Sequence, residues 1–304
     1  MIRHLKLSVS AILILLLFAS ANLYAKEYSF DFQRIYSDIQ PQKLELIIPR
    51  GKVIIVGSED NRVVIDAVKY IRAGDADEAQ DVADHIEIKA SEDGKLIRIE
   101  TNYLRYHGRG VKFWQKLLGG GSDTYGEVNY TIAVPTNIDL YINGIAADIE
   151  LSSVQGDIEI ENENGNTKSE FIFGDVTIKQ PTGRIDLQWI EGDIRIKTAS
   201  AKIDVNQVRG ALDITSQTGD IYVRTELDSP RDYFVRTNSG SINFSIPEMS
   251  SGRLNIETVA GDINTEIPIS IESVSNYKVV GEFGRGGPEI NISSSTGNVR
   301  VALF

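Results

Sequence analysis

The sequence predicts an all-β fold, a single-chain β-solenoid or β-helix-like array of short stacked strands with about eighteen residues per coil. Three observations predict it. A glycine, or an alanine in its place, recurs every nine residues at Ala147, Gly156, Gly165, Gly174, Gly183, Gly192, Ala201, Gly210 and Gly219. In most units an aliphatic–any–aliphatic triplet begins two residues later, as in Gly156-Asp157-Ile158-Glu159-Ile160 and Gly192-Asp193-Ile194-Arg195-Ile196. Val154, Ile172, Ile190 and Val208 stand two residues before every other glycine, whereas Glu163, Pro181, Ala199 and Gln217 hold that place before the rest. So short a period marks a stacked β-array, and the alternation doubles the unit from nine residues to eighteen.

Within a unit, the residues two and four after the glycine share one face of a strand. They are Ile158 and Ile160, Val176 and Ile178, Ile185 and Leu187, Ile194 and Ile196, Ile203 and Val205, Leu212 and Ile214, then Ile221 and Val223. The residue between them is mostly polar, as with Glu159, Thr177, Asp186, Arg195, Asp204 and Asp213. That is the alternation of a half-buried strand. The unit after Gly165 departs from it, with Thr167 and Ser169 in the inward places. One unit buries too little to offset the ordering of its own backbone, so stability has to come from stacking. The glycines suit corners that need positive φ. The competing arrangement is an antiparallel meander of nine-residue hairpin units; a strict period favours stacking in register.

The chain opens with Arg3, His4 and Lys6, an apolar run from Leu7 to Ala19, and small residues up to Ala25. Residues 1–25 read as a secretory signal peptide. The run is short for a membrane span. Cleavage is placed after Ala25, with Ala21 as the alternative, and no cysteine follows to carry a lipid anchor. Loss of Arg3 and Lys6 takes the net charge from -12 to -14. An exported, acidic protein without a basic stripe is not expected to bind nucleic acid. The absence of cysteine excludes disulfides, thiol chemistry and cysteine–zinc sites.

Residues 26–304 are expected to form one domain, with a β-rich N-terminal part at 26–135 and the repeats at 136–304. Lys43–Ile48, Lys52–Val56 and Arg62–Tyr70 read as strands, broken at Pro49-Arg50-Gly51 and Gly57-Ser58-Glu59-Asp60. Asp75–Asp84 suits a short helix. His85–Ala90 and Lys95–Thr101 suit a hairpin around Glu92-Asp93-Gly94. Glu127–Val134 alternates and ends at Pro135. Beyond Gly219 the units return at Gly240, Gly252, Gly261 and Gly297. They are separated by excursions, one containing Asp228-Ser229-Pro230 and Tyr233–Arg236 and one containing Glu282–Pro288, which are expected to leave as loops on one side.

The entry segment Pro49-Arg50-Gly51-Lys52-Val53-Ile54-Ile55-Val56-Gly57, the Tyr130–Pro135 strand and the serial Gly-Asp-Ile-any-Ile units resemble one exported bacterial family. It is the β-strand-repeat family labelled "putative adhesin", of unknown function. The resemblance covers nearly all of the mature chain. It implies a cell-envelope β-solenoid and carries no catalytic residue to transfer.

Three patterns could carry chemistry. Asp157, Asp175 and Asp193 lie eighteen apart and should form a ladder on one edge, with Asn166, Arg184 and Lys202 on the other. Calcium-binding β-rolls use Gly-Gly-any-Gly-any-Asp, which is missing, so these carboxylates are read as acceptors for turn N–H groups. The segment Tyr103–Tyr125 places Arg105, Arg109, Lys112 and Lys116 beside Phe113, Trp114, Leu117 and Leu118. It reads either as a contact loop for anionic lipid or an acidic partner, or as a cap over an open end of the array. Glu150, Glu159, Asp186, Arg195, Asp204 and Asp213 face outward and read as a solvated face. No hydrolase elbow or His-Glu-any-any-His motif is present. The expectation is a non-enzymatic periplasmic or surface protein for binding, adhesion or scaffolding, without metal or cofactor. Its partner would be an envelope protein, an anionic lipid or a polysaccharide. A carbohydrate-active enzyme on a β-helix scaffold and an envelope-stress signalling component are the alternatives.

Overall fold

A computed structural model describes residues 26–37, 41–104, 126–227 and 231–304. The N-terminal part runs β1 (Lys26–Tyr36), β2 (Lys43–Ser58), β3 (Val63–Ala73), a helix α1 (Ala76–Asp84), β4 (Ile86–Asp93), β5 (Leu96–Tyr103) and β6 (Glu127–Pro135). Strand β1 was not anticipated, although Tyr28, Phe30 and Phe32 alternate there with Ser29, Asp31 and Gln33. The two strands expected at 43–48 and 52–56 run together as β2. The chain bends there at Gly51, where φ is +130°. A Cβ on Gly51 would collide with the Val128 carbonyl, so glycine is needed for space as well as for φ.

The first half of β2 pairs in parallel with β5, and its second half pairs in parallel with β6. Strand β4 then closes antiparallel on β5, while β3 and β1 close antiparallel beyond β6. The hairpin expected around Gly94 is present, with Gly94 at φ +61°. The helix begins where expected. Asp75 Oδ1 accepts from the Glu78 backbone N–H at 2.8 Å, and Glu78 Oε2 accepts from the Gly74 N–H at 2.8 Å. This is close to a capping box. Ala79, Val82 and Ala83 bury the helix against the rest of the N-terminal part.

The repeats follow as β7 (Asp139–Gln155), β8 (Ile158–Asn164), β9 (Asn166–Phe173), β10 (Val176–Lys179), β11 (Thr182–Glu191), β12 (Ile194–Lys197), β13 (Ser200–Arg209), β14 (Leu212–Thr218) and β15 (Ile221–Thr225). All pairings among them are parallel, which excludes a hairpin meander. Val176 pairs with Ile158 on one side and Ile194 on the other. Ile185 likewise pairs with Thr167 and Ile203. Partners in this stretch are therefore eighteen residues apart. Even-numbered strands from β8 form one arm and odd-numbered strands from β9 the other. β7, like β2, crosses both arms.

The core lies between the arms. One inward column consists of Leu140, Ile158, Val176, Ile194, Leu212, Tyr233, Ile290 and Leu254, all buried. A polar column runs beside it at one corner, in Asn162, Gln180, Thr198 and Ser216. Each side chain donates to a carbonyl of the adjoining turn: Asn162 to Ala147 at 2.8 Å, Gln180 to Gly165 at 3.0 Å, Thr198 to Pro181 at 3.2 Å and Ser216 to Thr218 at 2.8 Å. Buried carbonyls left by the turns are thereby satisfied. Thr167 takes its inward place by donating to Gln180 Oε1 at 2.6 Å.

Beyond β15 come β16 (Tyr233–Ser239), β17 (Ile242–Ile246), β18 (Gly252–Ala260), β19 (Ile263–Thr265), β20 (Ser270–Ser275), β21 (Lys278–Phe283), β22 (Glu289–Thr296) and β23 (Val299–Leu303). One expectation fails here and another holds only in part. Tyr233–Arg236 is no excursion but part of arm strand β16, with Tyr233 and Val235 buried. The second excursion is irregular at Gly284–Pro288, as expected, but it is more than a loop. It contains the β20–β21 hairpin, which pairs antiparallel to β18 and covers the end of that arm. Space and chain order also part company. β22 pairs with β16 on one side and β18 on the other, and β23 lies between β17 and β19. The last two strands of the chain are thus inserted between strands that precede them.

Candidate functional site

The residues of the expected contact loop, Arg105, Arg109, Lys112, Phe113, Trp114, Lys116, Leu117 and Leu118, lie outside the described residues, as does the expected signal peptide at 1–25. The described chain stops at Leu104 and resumes at Gly126.

The turn aspartates are engaged from coil to coil. Asp139 Oδ1 accepts from the Asp157 N–H at 2.9 Å, Asp157 from Asp175 at 3.0 Å, Asp175 from Asp193 at 2.9 Å and Asp193 from Ala211 at 2.9 Å. Each carboxylate serves the turn eighteen residues further on, which the alternation of sequence alone does not specify. The device is not confined to one edge. Asp148 Oδ1 accepts from Asn166 N–H at 2.8 Å, and Asn298 Oδ1 accepts from Asp262 N–H at 2.9 Å. Arg231 also donates to Asp193. Among the described residues no group of three or more His, Asp or Glu side chains is placed to hold a metal ion.

The outward charges pair with one another. Glu150 meets Lys52 at 2.8 Å, Glu159 meets Lys179 at 3.5 Å, and Asp186 and Asp204 share Arg184 at 3.3 and 3.8 Å. Arg195 and Asp213 face out on adjoining strands in register. The Lys179 ammonium, donating to Glu161 at 2.6 Å, holds the Glu161 carboxyl below its ordinary range. That direction keeps the group ionised and is unsuited to a general acid. A shallow depression of about 300 Å³ on the arm of β9 and β11 is lined by Lys52, Asp148, Glu150, Lys168, Arg184 and Asp186, with both signs interleaved.

A feature absent from the sequence expectations stands on the same arm. Ser153, Phe171 and Trp189, eighteen apart, are the non-glycine residues with positive φ among the described residues, at +60°, +56° and +59°. Such a backbone is unusual for any residue and an outlier for bulky ones. It marks a β-bulge: the register between β11 and its neighbour β13 shifts between Gln188 and Ile190. Two consecutive residues therefore face outward in each coil, Glu170 with Phe171 and Gln188 with Trp189. The Phe171 and Trp189 rings stack with centroids 6.4 Å apart and planes 9° apart. Phe171 is 48% exposed, Trp189 54% and the neighbouring Phe173 47%.

The bulge ends one coil later. Val208 was expected to match Val154, Ile172 and Ile190, which are buried. Instead Gln207 is the buried residue, and Val208 is half-buried. Gln207 donates to the Gly192 and Ala211 carbonyls at 2.8 and 3.0 Å, which makes the inward place acceptable to an amide. A sign of the bulge was present in the spacing. Inward residues Leu187 and Ile190 are three apart, where simple alternation requires two.

A second concavity, of about 470 Å³, opens between β1 and the β4–β5 hairpin. Phe32, Ile88 and Ala90 line it with Arg34, Lys89 and Arg98. Arg98 is tied to Glu45, its Nη2 lying 3.0 and 2.9 Å from the two carboxylate oxygens.

Fold and surface together define an all-β repeat protein with paired surface charges and an exposed aromatic strip. Residues 37–302 match the family described as Toastrack DUF4097, and the chain belongs to that family. No curated protein matches. Among solved structures, the chain is similar to a "putative adhesin" from Parabacteroides distasonis at 10% identity and TM-score 0.48, over 91% of this chain and 97% of that one. A "putative adhesin" from Bacteroides fragilis is similar at 13% identity and TM-score 0.44, over 92% and 97%. A "putative cell adhesion protein" from Clostridium sporogenes is similar at 14% identity and TM-score 0.27, over 91% and 100%.

Proposed function

We propose that this chain is a non-enzymatic binding scaffold of the bacterial cell envelope. Its body, residues 26–304, is a β-solenoid of about eighteen residues per coil, exported by a leader at residues 1–25 and displayed in the periplasm or at the surface. The observation that carries the reading is the contrast between the two kinds of surface group. The outward carboxylates are tied to Lys or Arg neighbours or to turn N–H groups, and do not converge on one point. Large aromatic side chains, in contrast, stand open to solvent on a backbone that locks them in register. Fixed, unpaired apolar surface favours association. An array stiffened by parallel pairing presents such a surface without loss of conformational freedom on binding.

The test is to incubate the purified mature protein with isolated envelope fractions. Sedimentation with the envelope is expected, with no shorter saccharide products released. Products that accumulate with enzyme-like turnover, or no association with any envelope fraction, would refute the proposal.

A further inference from the structure

We propose that Phe171 and Trp189, with Phe173 beside them, form a platform for a neutral polysaccharide chain whose sugar rings lie against the aromatic faces. This rests on the reading of the protein as a binding scaffold and names its ligand class.

The first argument is that the bulge holds two large aromatic side chains in solvent on a strained backbone. The bulge keeps Ile172 and Ile190 inward and leaves Trp189 without a partner on β13, where Gln207 pairs opposite Ile190 and is buried. Without a bulge, positions 171 and 189 would likewise point into the core. Two large aromatic side chains are thus left in solvent beside buried Ile172 and Ile190, where burial alone would favour enclosing them. The turning also demands positive φ at a Phe and at a Trp. Strain of this kind persists where the surroundings impose it, and it gathers at binding surfaces.

The second argument is geometric. The two rings are nearly parallel and are repeated along the stacking direction of the strands. An extended polymer lying in that direction meets Phe171 and Trp189 in succession. The apolar C–H face of a pyranose matches a flat aromatic face, and its hydroxyl groups match the polar residues at the rim.

The third argument is electrostatic and selects among occupants. Glu170 is paired with Lys168, Glu191 with Arg209 at 3.0 Å, and Asp186 with Arg184 at 3.3 Å. Gln188 donates to Asp186 at 2.8 Å. The charges framing the rings neutralise each other, so nothing here selects an ionic ligand. Anionic lipid would meet no excess positive charge. A neutral, polyhydroxylated chain fits an apolar strip framed by hydrogen-bonding side chains.

The experiment is calorimetric titration of the full mature protein with a panel of neutral hexasaccharides: glucan, xylan, mannan and N-acetylglucosamine oligomers. Vesicles of phosphatidylglycerol serve as the comparison. The variants are Trp189→Gly and Phe171→Gly, which remove a ring and also relieve the positive φ, so their folds are not put at risk. At least one hexasaccharide is expected to bind with a Kd of about 1 mM or tighter. Each variant should weaken it tenfold or more while melting no lower than the wild type. If no hexasaccharide binds, or if both variants bind as well as the wild type, the platform assignment is overturned. Should the ring-dependent ligand prove to be the vesicle, the sugar class falls and the scaffold reading stands. Enzymatic shortening of a hexasaccharide would overturn the scaffold reading itself.

Discussion

Single residues set the spacing of this fold through contacts with their equivalents one coil away. The glycine columns are an example. A Cβ on Gly183 would stand inside van der Waals contact with the Gly165 carbonyl, and φ there is +111°. Gly183→Ala is therefore expected to destabilise by about 3 kcal/mol, read as a lower denaturant midpoint at unchanged slope. Trp189→Gly should act in the opposite sense. Removing the Cβ from a residue at φ +59° relieves about 1 kcal/mol, and the melting temperature should rise by about 2–4 °C. The ladder aspartates are structural acceptors. Asp157→Ala leaves the Asp175 N–H without its partner and should cost about 1 kcal/mol. Because those carboxylates already serve backbone groups, neither calcium nor a chelator should shift the melting temperature, a measurement that scanning calorimetry supplies.

At the scale of elements, the corners and the N-terminal strands show how buried polar groups are accommodated. Gln180 joins the first arm to the turn behind it, donating to Gly165 and Arg184 carbonyls and accepting from Thr167. Gln180→Leu keeps the volume but strands those partners, and a loss of about 2 kcal/mol is expected on equilibrium unfolding. Tyr130 on β6 exchanges a 2.6 Å hydrogen bond with Thr101 on β5, linking the arms across the core. Burial pushes the Tyr130 hydroxyl well above its ordinary value, against the opposing effect of the Thr101 bond. Burial likewise pushes Tyr103 up to about 12, opposed by Arg50. A group whose folded pKa is raised contributes stability that is complete below its unfolded value and is lost as pH rises through the folded one. Stability should therefore fall as pH climbs from about 10 toward 12, and Tyr130→Phe should flatten that slope.

For the whole molecule, the decisive fact is the place of the last strands. β22 and β23 fill the gap between β16–β17 and β18–β19, so their inward residues Ile290, Ile292, Val299 and Val301 are fully enclosed. Deleting residues 289–304 would bare unpaired edges on both sides of the gap. The truncated chain is expected to aggregate, seen as loss of the monomer peak on size exclusion. Deleting residues 26–36 removes β1, which among the described strands pairs with β3 alone, and should leave a folded protein of lower melting temperature. Closing the stack this way also makes it a poor candidate for folding strictly from one end. The final coil must enter contacts whose partners lie 57 and 36 residues earlier, as with Ile290 against Tyr233 and Leu254.

The period of glycines and aliphatics was enough to read which residues face inward. It also marked where the chain turns and which residues lie opposite one another in the regular coils. Those are local matters: an alternation of two and a turn that only glycine fits are written into neighbouring positions. Three things were decided only by tertiary structure. The coils carry nearly the same pattern, so nothing local distinguishes an edge that accepts β22 from one that accepts β18; long-range packing makes that choice. The aspartates could serve their own turn or the next, and the close stacking of coils settled it in favour of the next. The period assigned no face to Phe171 and Trp189, and the bulge sets them outward. A single extra residue reverses every side chain beyond it, which no count of apolar positions can weigh without the neighbouring strand in place.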